Sequence, residues 1–346
     1  MRIAHIIWAL ETGGAETMLV DIVNEQVKSE QVAVLVVNDM VNKSLAGKIN
    51  SKCKVKFFGR KMRSKSPIPW LKLNLYLFLY KPDIIHFHLE GMRKMVFHPA
   101  PKVFTIHNIH TSGREYPKYN ALYAISDGVK NYTGTQGYKA ITVWNGIDTR
   151  SIKQKDAKWY DGTGTCKIVC VGRLYTPHKG QDILIEAVKS VLEQGIDNFH
   201  LDLIGDGESR GMLEELVLNR GLNEKVTFRG QKGREYISQR LCEYDLFVLP
   251  SRSEGFGLSV VEAMCAKVPV IVCDLDGVKD VIDGGKFGDF FITGDANSLA
   301  QTIISFMNKG TSPQRVNDAY SFARNHFDIS ITARRYVEEY RRVLND

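Results

Sequence analysis

Two glutamates stand eight positions apart in Pro250-Ser251-Arg252-Ser253-Glu254-Gly255-Phe256-Gly257-Leu258-Ser259-Val260-Val261-Glu262-Ala263. The apolar run Leu246 to Leu249 before them predicts a strand, Leu258 to Ala266 predicts a helix, and Val268 to Val272 predicts the next strand. A glycine turn that opens a helix presents backbone N–H groups and the positive end of the helix dipole, a setting for an anion. Glu254 would reach a ligand from the loop, and Glu262 would accept hydrogen bonds from hydroxyls about one turn into the helix. The ligand chemistry that fits is phosphate and hydroxyl together, as in a nucleotide sugar.

Other groups extend this chemistry. Arg173 and Lys179 follow the buried run Lys167–Val171 and could both grip a diphosphate. Two cations there would neutralise a leaving diphosphate without a metal. The plainer alternative is a pair of surface cations. His86-Phe87-His88 ends a predicted strand, which puts two imidazoles on one face, and His107 ends the next strand. Those three could form a metal set, or they could be packed structural histidines. Gly205-Asp206-Gly207-Glu208-Ser209-Arg210-Gly211 looks like a dinucleotide loop. It lies inside a unit rather than at its start, and no acid ends a strand about twenty residues later, which argues against that use. Asp274-Leu275-Asp276 mimics a D-x-D metal site but reads as the turn after the strand ending at Cys273. No metal and no cofactor are expected.

These residues need a frame. At 346 residues the chain is long enough for two domains with separate cores. Strands are predicted at Ile3–Trp8, Val32–Val37, Asp83–Phe87, Val103–Ile106, Ala121–Ile125 and Ala140–Trp144. The pattern restarts with strand Lys167–Val171, helix Gly180–Gln194, strand His200–Ile204, helix Arg210–Asn219, strand Val226–Arg229, helix Arg234–Cys242 and strand Leu246–Leu249. Short buried runs alternating with helices predict parallel sheets covered on both faces. The fold class is therefore α/β, with two Rossmann-like doubly wound domains facing a cleft. The expected division is 1–160 and 161–325, joined by the polar stretch Ser151–Thr165, with a C-terminal amphipathic helix in 326–346 that returns to the first domain.

Charge is uneven. The net charge is +7, yet Met40 to Pro82 holds eleven Lys and Arg and no Asp or Glu, so the rest of the chain sums to −4. Cations interleaved with Phe57, Phe58, Trp70 and their neighbours suit an anionic membrane surface; the alternative is a helix with a solvated face. No nucleic-acid motif accompanies this charge. The longest apolar stretch, Trp70 to Tyr80, carries Lys72 and Asn74 and is far shorter than the ~20 residues of a membrane span. The start, Met1–Trp8 followed by Glu11, does not read as a signal peptide. Six scattered cysteines without a C-x-x-C pair suggest reduced, buried thiols and a cytoplasmic location, peripheral to the inner face of the membrane if the basic segment docks there.

Taken together, the segments resemble the GT-B glycosyltransferases, specifically the retaining family-4 type. The resemblance rests on Gly13-Gly14-Ala15-Glu16, Asn145-Gly146-Ile147-Asp148, Gly172-Arg173-Leu174 with Lys179-Gly180, Ile204-Gly205-Asp206-Gly207, Val226-Thr227-Phe228-Arg229-Gly230, and Glu254 with Glu262. It implies an acceptor-binding first domain and a donor-binding second domain. It implies transfer of a hexose from a nucleotide diphosphate sugar, UDP favoured and GDP possible. The implied acceptor is a hydroxyl on a lipid-linked or oligosaccharide intermediate of cell-surface polysaccharide, such as capsule or O-antigen. By the same resemblance the catalytic set is His88, Arg173, Lys179 and Glu254. The donor site is Gly13, Gly14, Arg173, Lys179, Gly205, Arg229, Glu254, Gly255, Phe256, Gly257, Leu258 and Glu262. His88 and His107 lie near the transferred sugar. Lys267 and Asp280 depart from the pattern, which usually has glycine and glutamate there. Two alternatives keep the fold, a nucleotide-sugar epimerase and a non-catalytic nucleotide-sugar-binding subunit.

Overall fold

The structure is a computed structural model that describes residues 1–11, 13–109, 111–156 and 158–345. It forms two compact units, Met1–Asp148 with Phe327–Asp346, and Thr149–His326.

The first unit opens with β1 (Arg2–Ile7), α1 (Gly14–Gln26), β2 (Gln31–Asn38), α2 (Lys43–Ala46), β3 (Lys54–Arg60) and α3 (Ile68–Tyr80). It continues with β4 (Ile84–Phe87), β5 (Lys102–Ile106), β6 (Ala121–Ala124), α4 (Asp127–Thr135) and β7 (Ile141–Thr142). Its sheet runs β3-β2-β1-β4-β5-β6-β7, and every pairing is parallel. Val32 to Val37 are all buried, as a strand covered on both faces requires. The order reverses between β1 and β4, which pair with His5 opposite His86.

The second unit contains β8 (Cys166–Val171), α5 (Thr176–Lys179), α6 (Gln181–Glu193), β9 (Phe199–Ile204), α7 (Arg210–Asn219), β10 (Val226–Gly230) and α8 (Arg234–Arg240). Then follow β11 (Leu246–Leu249), α9 (Leu258–Cys265), β12 (Val270–Cys273), α10 (Asp276–Lys279), β13 (Asp289–Phe291), α11 (Ala296–Lys309) and α12 (Pro313–Phe327). Its parallel sheet runs β10-β9-β8-β11-β12-β13 and reverses between β8 and β11. Ligands of such sheets sit at the carboxyl ends of the strands beside the reversal.

Residues 149–156 and 158–160 pack with the second unit rather than closing the first. Lys153 N–H donates to Ser238 O, and Lys155 N–H to Ala266 O. Lys155 Nζ meets Asp245 at 2.7 Å, and Trp159 Nε1 donates to Lys267 O at 2.9 Å. The last helix, α13 (Ile329–Asn345), belongs to the first unit. Ile147 exchanges backbone bonds with Phe327 and Ile329, and the Tyr340 hydroxyl reaches His86. Helix α13 also packs on α1.

Two of the predicted strands differ clearly in their bounds, and β3 and β13 were not predicted. β7 is only Ile141–Thr142, and β12 starts at Val270 and runs to Cys273. Val268 and Pro269 serve as the approach to the strand, because Pro269 lacks the N–H that a central strand needs. All six cysteines are buried and free. Among the described residues no helix is long and apolar enough to cross a membrane.

Candidate active site

The strand ends of the second unit are joined main chain to main chain. Gly180 has φ +61°, and a Cβ there would lie 2.1 Å from Pro250 O. Gly205 has φ +149°, and a Cβ there would lie 1.9 Å from Gly172 O. Only glycine allows either approach. Further bonds sew the same loops: Gly172 N–H to Ile204 O, Leu174 N–H to Asp206 O, and Arg252 and Ser253 N–H to His178 O. Arg252 adds a bidentate pair with Asp182 at 2.7 Å and a bond to Thr176 O at 2.9 Å. Sequence reasoning did not single out Arg252; its signal was an arginine directly before the glutamate loop.

This sewing brings Lys179 and Glu254 together across 75 residues, with Nζ to Oε2 at 2.6 Å. Burial disfavours the Lys179 ammonium, but the Glu254 carboxylate outweighs it and holds the lysine above its ordinary value. Three residues past Glu254, Gly257 caps α9. Leu258 begins that helix and Glu262 lies in its second turn, partly exposed. Gly255 and Phe256 are buried beneath the loop. A cation, a carboxylate and a helix N-terminus thus share one strand-end cluster. Such a cluster can hold a diphosphate and a hydroxylated group side by side.

Arg173 takes a different partner from Lys179. Its side chain is 65% exposed, pairs with Glu208, and lies 5.6 Å over the Tyr175 ring. An exposed pair of this kind contributes little and leaves the guanidinium able to turn. Arg229 is anchored: its Nε meets Asp202 Oδ2 at 2.9 Å, and the Tyr244 hydroxyl donates to the same oxygen at 2.7 Å. Gly205 N–H meanwhile bonds Gly230 O, which ties the β9 loop to the end of β10. Asp274 receives the Thr293 hydroxyl at 2.5 Å and the Thr293 N–H at 2.8 Å; the hydroxyl bond above all lowers its carboxyl below the usual range, and the pair fits a turn.

In the first unit Gly13 caps α1 with extended backbone, and Gly14 is its first residue. A Cβ on Gly13 would stand 2.3 Å from Glu16 Oε2, so the Glu16 carboxylate folds back over the helix start. Burial raises its pKa, and Glu11 adds to that. An arriving anion at α1 would have to displace this side chain.

Four histidines meet at the carboxyl ends of β1, β4 and β5. His86 is a core residue, with Nδ1 2.6 Å from the Tyr340 hydroxyl and Nε2 2.7 Å from Thr105 Oγ1. His5 Nδ1 lies 2.9 Å from His88 Nε2, and His5 Nε2 lies 2.8 Å from Gln26 Oε1. An amide oxygen only accepts, so His5 carries its proton on Nε2 and offers a lone pair at Nδ1. His88 then donates from Nε2, which leaves its Nδ1 as a lone pair. That atom is buried and has no partner among the described residues; the same is true of His107 Nε2. Burial pushes His5 and His107 down to about 4, and it holds His86 and His88 well below the ordinary value, with the neighbouring imidazoles adding to the effect. All four are neutral at pH 7. Ring nitrogens of His5, His86 and His88 lie within 4.8 Å of one another, but the bonds just described already use most of them. The unmatched imidazole nitrogens belong to His88 and His107, the two histidines assigned to the sugar by resemblance; the Gln26 Nε2 is likewise buried without a partner among the described residues. Sequence reasoning did not single out His5 and Gln26, which set the tautomer.

The family model for glycosyl transferases group 1 matches residues 152–321, and the model for Glycosyltransferase Family 4 matches residues 12–151. A phosphatidyl-myo-inositol mannosyltransferase of Mycobacterium leprae is 27% identical over 209 residues, 60% of this chain and 54% of its own length. The amylovoran biosynthesis glycosyltransferase AmsK of Erwinia amylovora is 31% identical over 231 residues, 62% of this chain and 55% of its own. The match spans less than two thirds of the length of such curated relatives. The structure of Anabaena Alr3699/HepE in complex with UDP and glucose has a TM-score of 0.78 at 21% identity, covering 98% of this chain and 99% of that one. At that identity the likeness carries the fold. Two family models in register from 12 to 321, on a pair of doubly wound sheets, place the chain in the group 1 glycosyltransferases of the GT-B fold.

Proposed function

We propose that this chain transfers a hexose, with retention at the anomeric carbon, from a nucleotide diphosphate sugar to a hydroxyl of a glycan or lipid-linked glycan in cell-surface polysaccharide assembly. The observation that carries the reading is the Lys179–Glu254 pair at 2.6 Å beside the N-terminus of α9. A donor diphosphate would draw Lys179 away from Glu254 and share the helix terminus. Glu254, released, would accept from hydroxyls of the sugar, and Glu262 from those of the ribose. Arg173 would turn from Glu208 to the leaving group. In the first unit, the His88 Nδ1 lone pair suits a hydroxyl donor.

The bond from the anomeric carbon to the diphosphate oxygen breaks as the acceptor oxygen bonds to that carbon from the same face. The acceptor proton passes to the departing diphosphate. Negative charge grows on that diphosphate, and Lys179, Arg173 and α9 stabilise it. No metal is required in this scheme, so activity should persist in excess EDTA. UDP is the favoured carrier, supported by the UDP and glucose bound to the Anabaena neighbour. The likeness to AmsK, a glycosyltransferase of amylovoran biosynthesis, supports the polysaccharide setting.

The test is a thermal-shift screen against UDP- and GDP-sugars. At a hundredfold excess over Kd a true donor adds about 2.7 kcal/mol of stability. Proton NMR of the product then reads the anomeric configuration. An inverted product, or stabilisation by none of the panel, would sink the reading.

A further inference from the structure

Helix α3 is apolar on two faces and covered on one. Trp70, Leu73, Leu77 and Tyr80 are buried, and the helix packs on β2 and β3. On the other side Ile68, Leu71, Leu75, Phe78 and Leu79 are between 51% and 73% exposed. Their spacing follows the helical repeat, so they form one stripe. A helix that is apolar all round ordinarily has both faces buried. The loop beside it extends the stripe. Asn74 donates to Met95 O at 2.8 Å and accepts the Phe97 N–H at 2.8 Å, which pins Phe97, 68% exposed, next to the helix. With 13 residues α3 is too short to span a bilayer, which needs about 20.

The charge around the stripe selects its occupant. The segment 40–82 has eleven cations and no acid. Lys61, Arg63 and Lys65, on the turn before α3, and Lys72 on the helix are all exposed. Arg60 is not available: its guanidinium bonds Asn38 Oδ1 at 3.2 Å and Ser64 O at 2.7 Å and lies 5.3 Å over the Trp8 ring. A second copy of the chain would set this cationic segment against itself, so self-association through this face is opposed by like charge. A surface that is apolar below and anionic above fits both features.

We infer that the exposed face of α3 docks this chain on an anionic lipid bilayer. The helix lies in the headgroup plane, with Leu71, Leu75 and Leu79 in the acyl boundary and Lys61, Arg63, Lys65 and Lys72 against lipid phosphates. The inference stands on α3 and its flanks alone and does not depend on which sugar is transferred.

The experiment is cosedimentation of the full chain with vesicles of phosphatidylcholine, with and without phosphatidylglycerol. The chain should bind the anionic vesicles at low salt, bind the neutral ones poorly, and release as salt rises. Lys61→Glu, Arg63→Glu and Lys65→Glu together should weaken binding by about a hundredfold, since each cation near the surface contributes several-fold. Leu71→Glu with Leu75→Glu and Leu79→Glu should weaken it roughly tenfold or more, because the apolar stripe no longer inserts. Both sets alter exposed side chains, so far-UV circular dichroism and the nucleotide-sugar thermal shift should stay as in the unaltered chain. Equal binding to neutral and anionic vesicles, binding to neither, or retention by both variants would overturn the inference. So would a dimer that the leucine variants dissolve, which would give the face to a second copy.

Discussion

His5 and His88 share one hydrogen bond, Nδ1 to Nε2 at 2.9 Å, and it fixes which nitrogen of His88 is free. The fixing starts one residue further back, at the Gln26 amide oxygen 2.8 Å from His5 Nε2. Three residues on α1, β1 and the end of β4 thus act as one proton-ordered chain.

That chain gives the first prediction. Gln26→Leu removes the acceptor, frees His5 to change tautomer, and should lower kcat about tenfold while leaving the donor KM nearly unchanged. Gln26→Glu still offers an acceptor oxygen and should retain most of the activity. Nitrogen-15 NMR of the imidazoles reads the tautomer directly. Equal kcat in both variants would make Gln26 a packing residue only.

Acid should loosen the first unit. His5 titrates near 4 in the fold against 6.5 when free, because burial disfavours its cation. Above 6.5 folded and unfolded forms are both neutral, and no stability depends on it. Between 6.5 and 4 the unfolded chain takes up a proton that the fold refuses, so stability falls with pH. The loss from His5 reaches at most about 3 kcal/mol at the lower end. His86 and His88 shift in the same direction and steepen the fall. Thermal melts from pH 7 to about 4 measure the loss, and His5→Gln, which cannot titrate, should shrink it.

Lys179 and Glu254 should separate in function. Lys179→Ala should cut turnover by one to two orders of magnitude, the equivalent of about 1.5–3 kcal/mol of a charge-assisted contact to the leaving group. Glu254→Ala should leave binding of the bare nucleotide diphosphate intact and damage sugar transfer. It should also lower the Lys179 pKa, since burial then loses its main opponent. Glu262→Ala should weaken the bare nucleotide. Isothermal titration of the nucleotide with all three variants decides the matter; equal weakening by Glu254→Ala and Glu262→Ala would end this division of roles.

Lys267 stands where glycine was expected, and it adopts φ +59°. A left-handed conformation costs an L-residue about 1–2 kcal/mol. The compensation visible here is the Lys267 ammonium 5.0 Å over the Tyr320 ring, a contact of about 0.5–1 kcal/mol. Lys267→Gly should therefore gain about 0.5 kcal/mol, seen as a higher Tm. A lower Tm would mean that the Tyr320 contact dominates.

Much of the frame was legible because its strands are buried on both faces. β11 and α7 match the predicted bounds, and α13 falls within 326–346 as expected, since strong periodicity and clear breakers mark them. β3, Lys-Val-Lys-Phe-Phe-Gly-Arg, was not read as a strand. It is an edge strand, and its lysines suit one exposed face while masking the apolar run. The site was legible as residue types but not as pairings. Lys179 with Glu254, Arg173 with Glu208 and Arg229 with Asp202 depend on which strands neighbour each other, and no spacing in the sequence encodes that. His5 was hidden for the same reason, a lone imidazole in an apolar run until β1 is laid against β4.

The joints at Gly180 with Pro250 and at Gly172 with Gly205 are contacts between main chains. Such a joint has no side chain to shrink in compensation, so no second-site change can restore it. Lys179 and Glu254, by contrast, are free to co-vary with whatever ligand they meet. Diversification of this chain therefore has a fixed rear and an adaptable front. In a random library, suppressors should be recoverable for the side-chain pair and absent for the glycine joints.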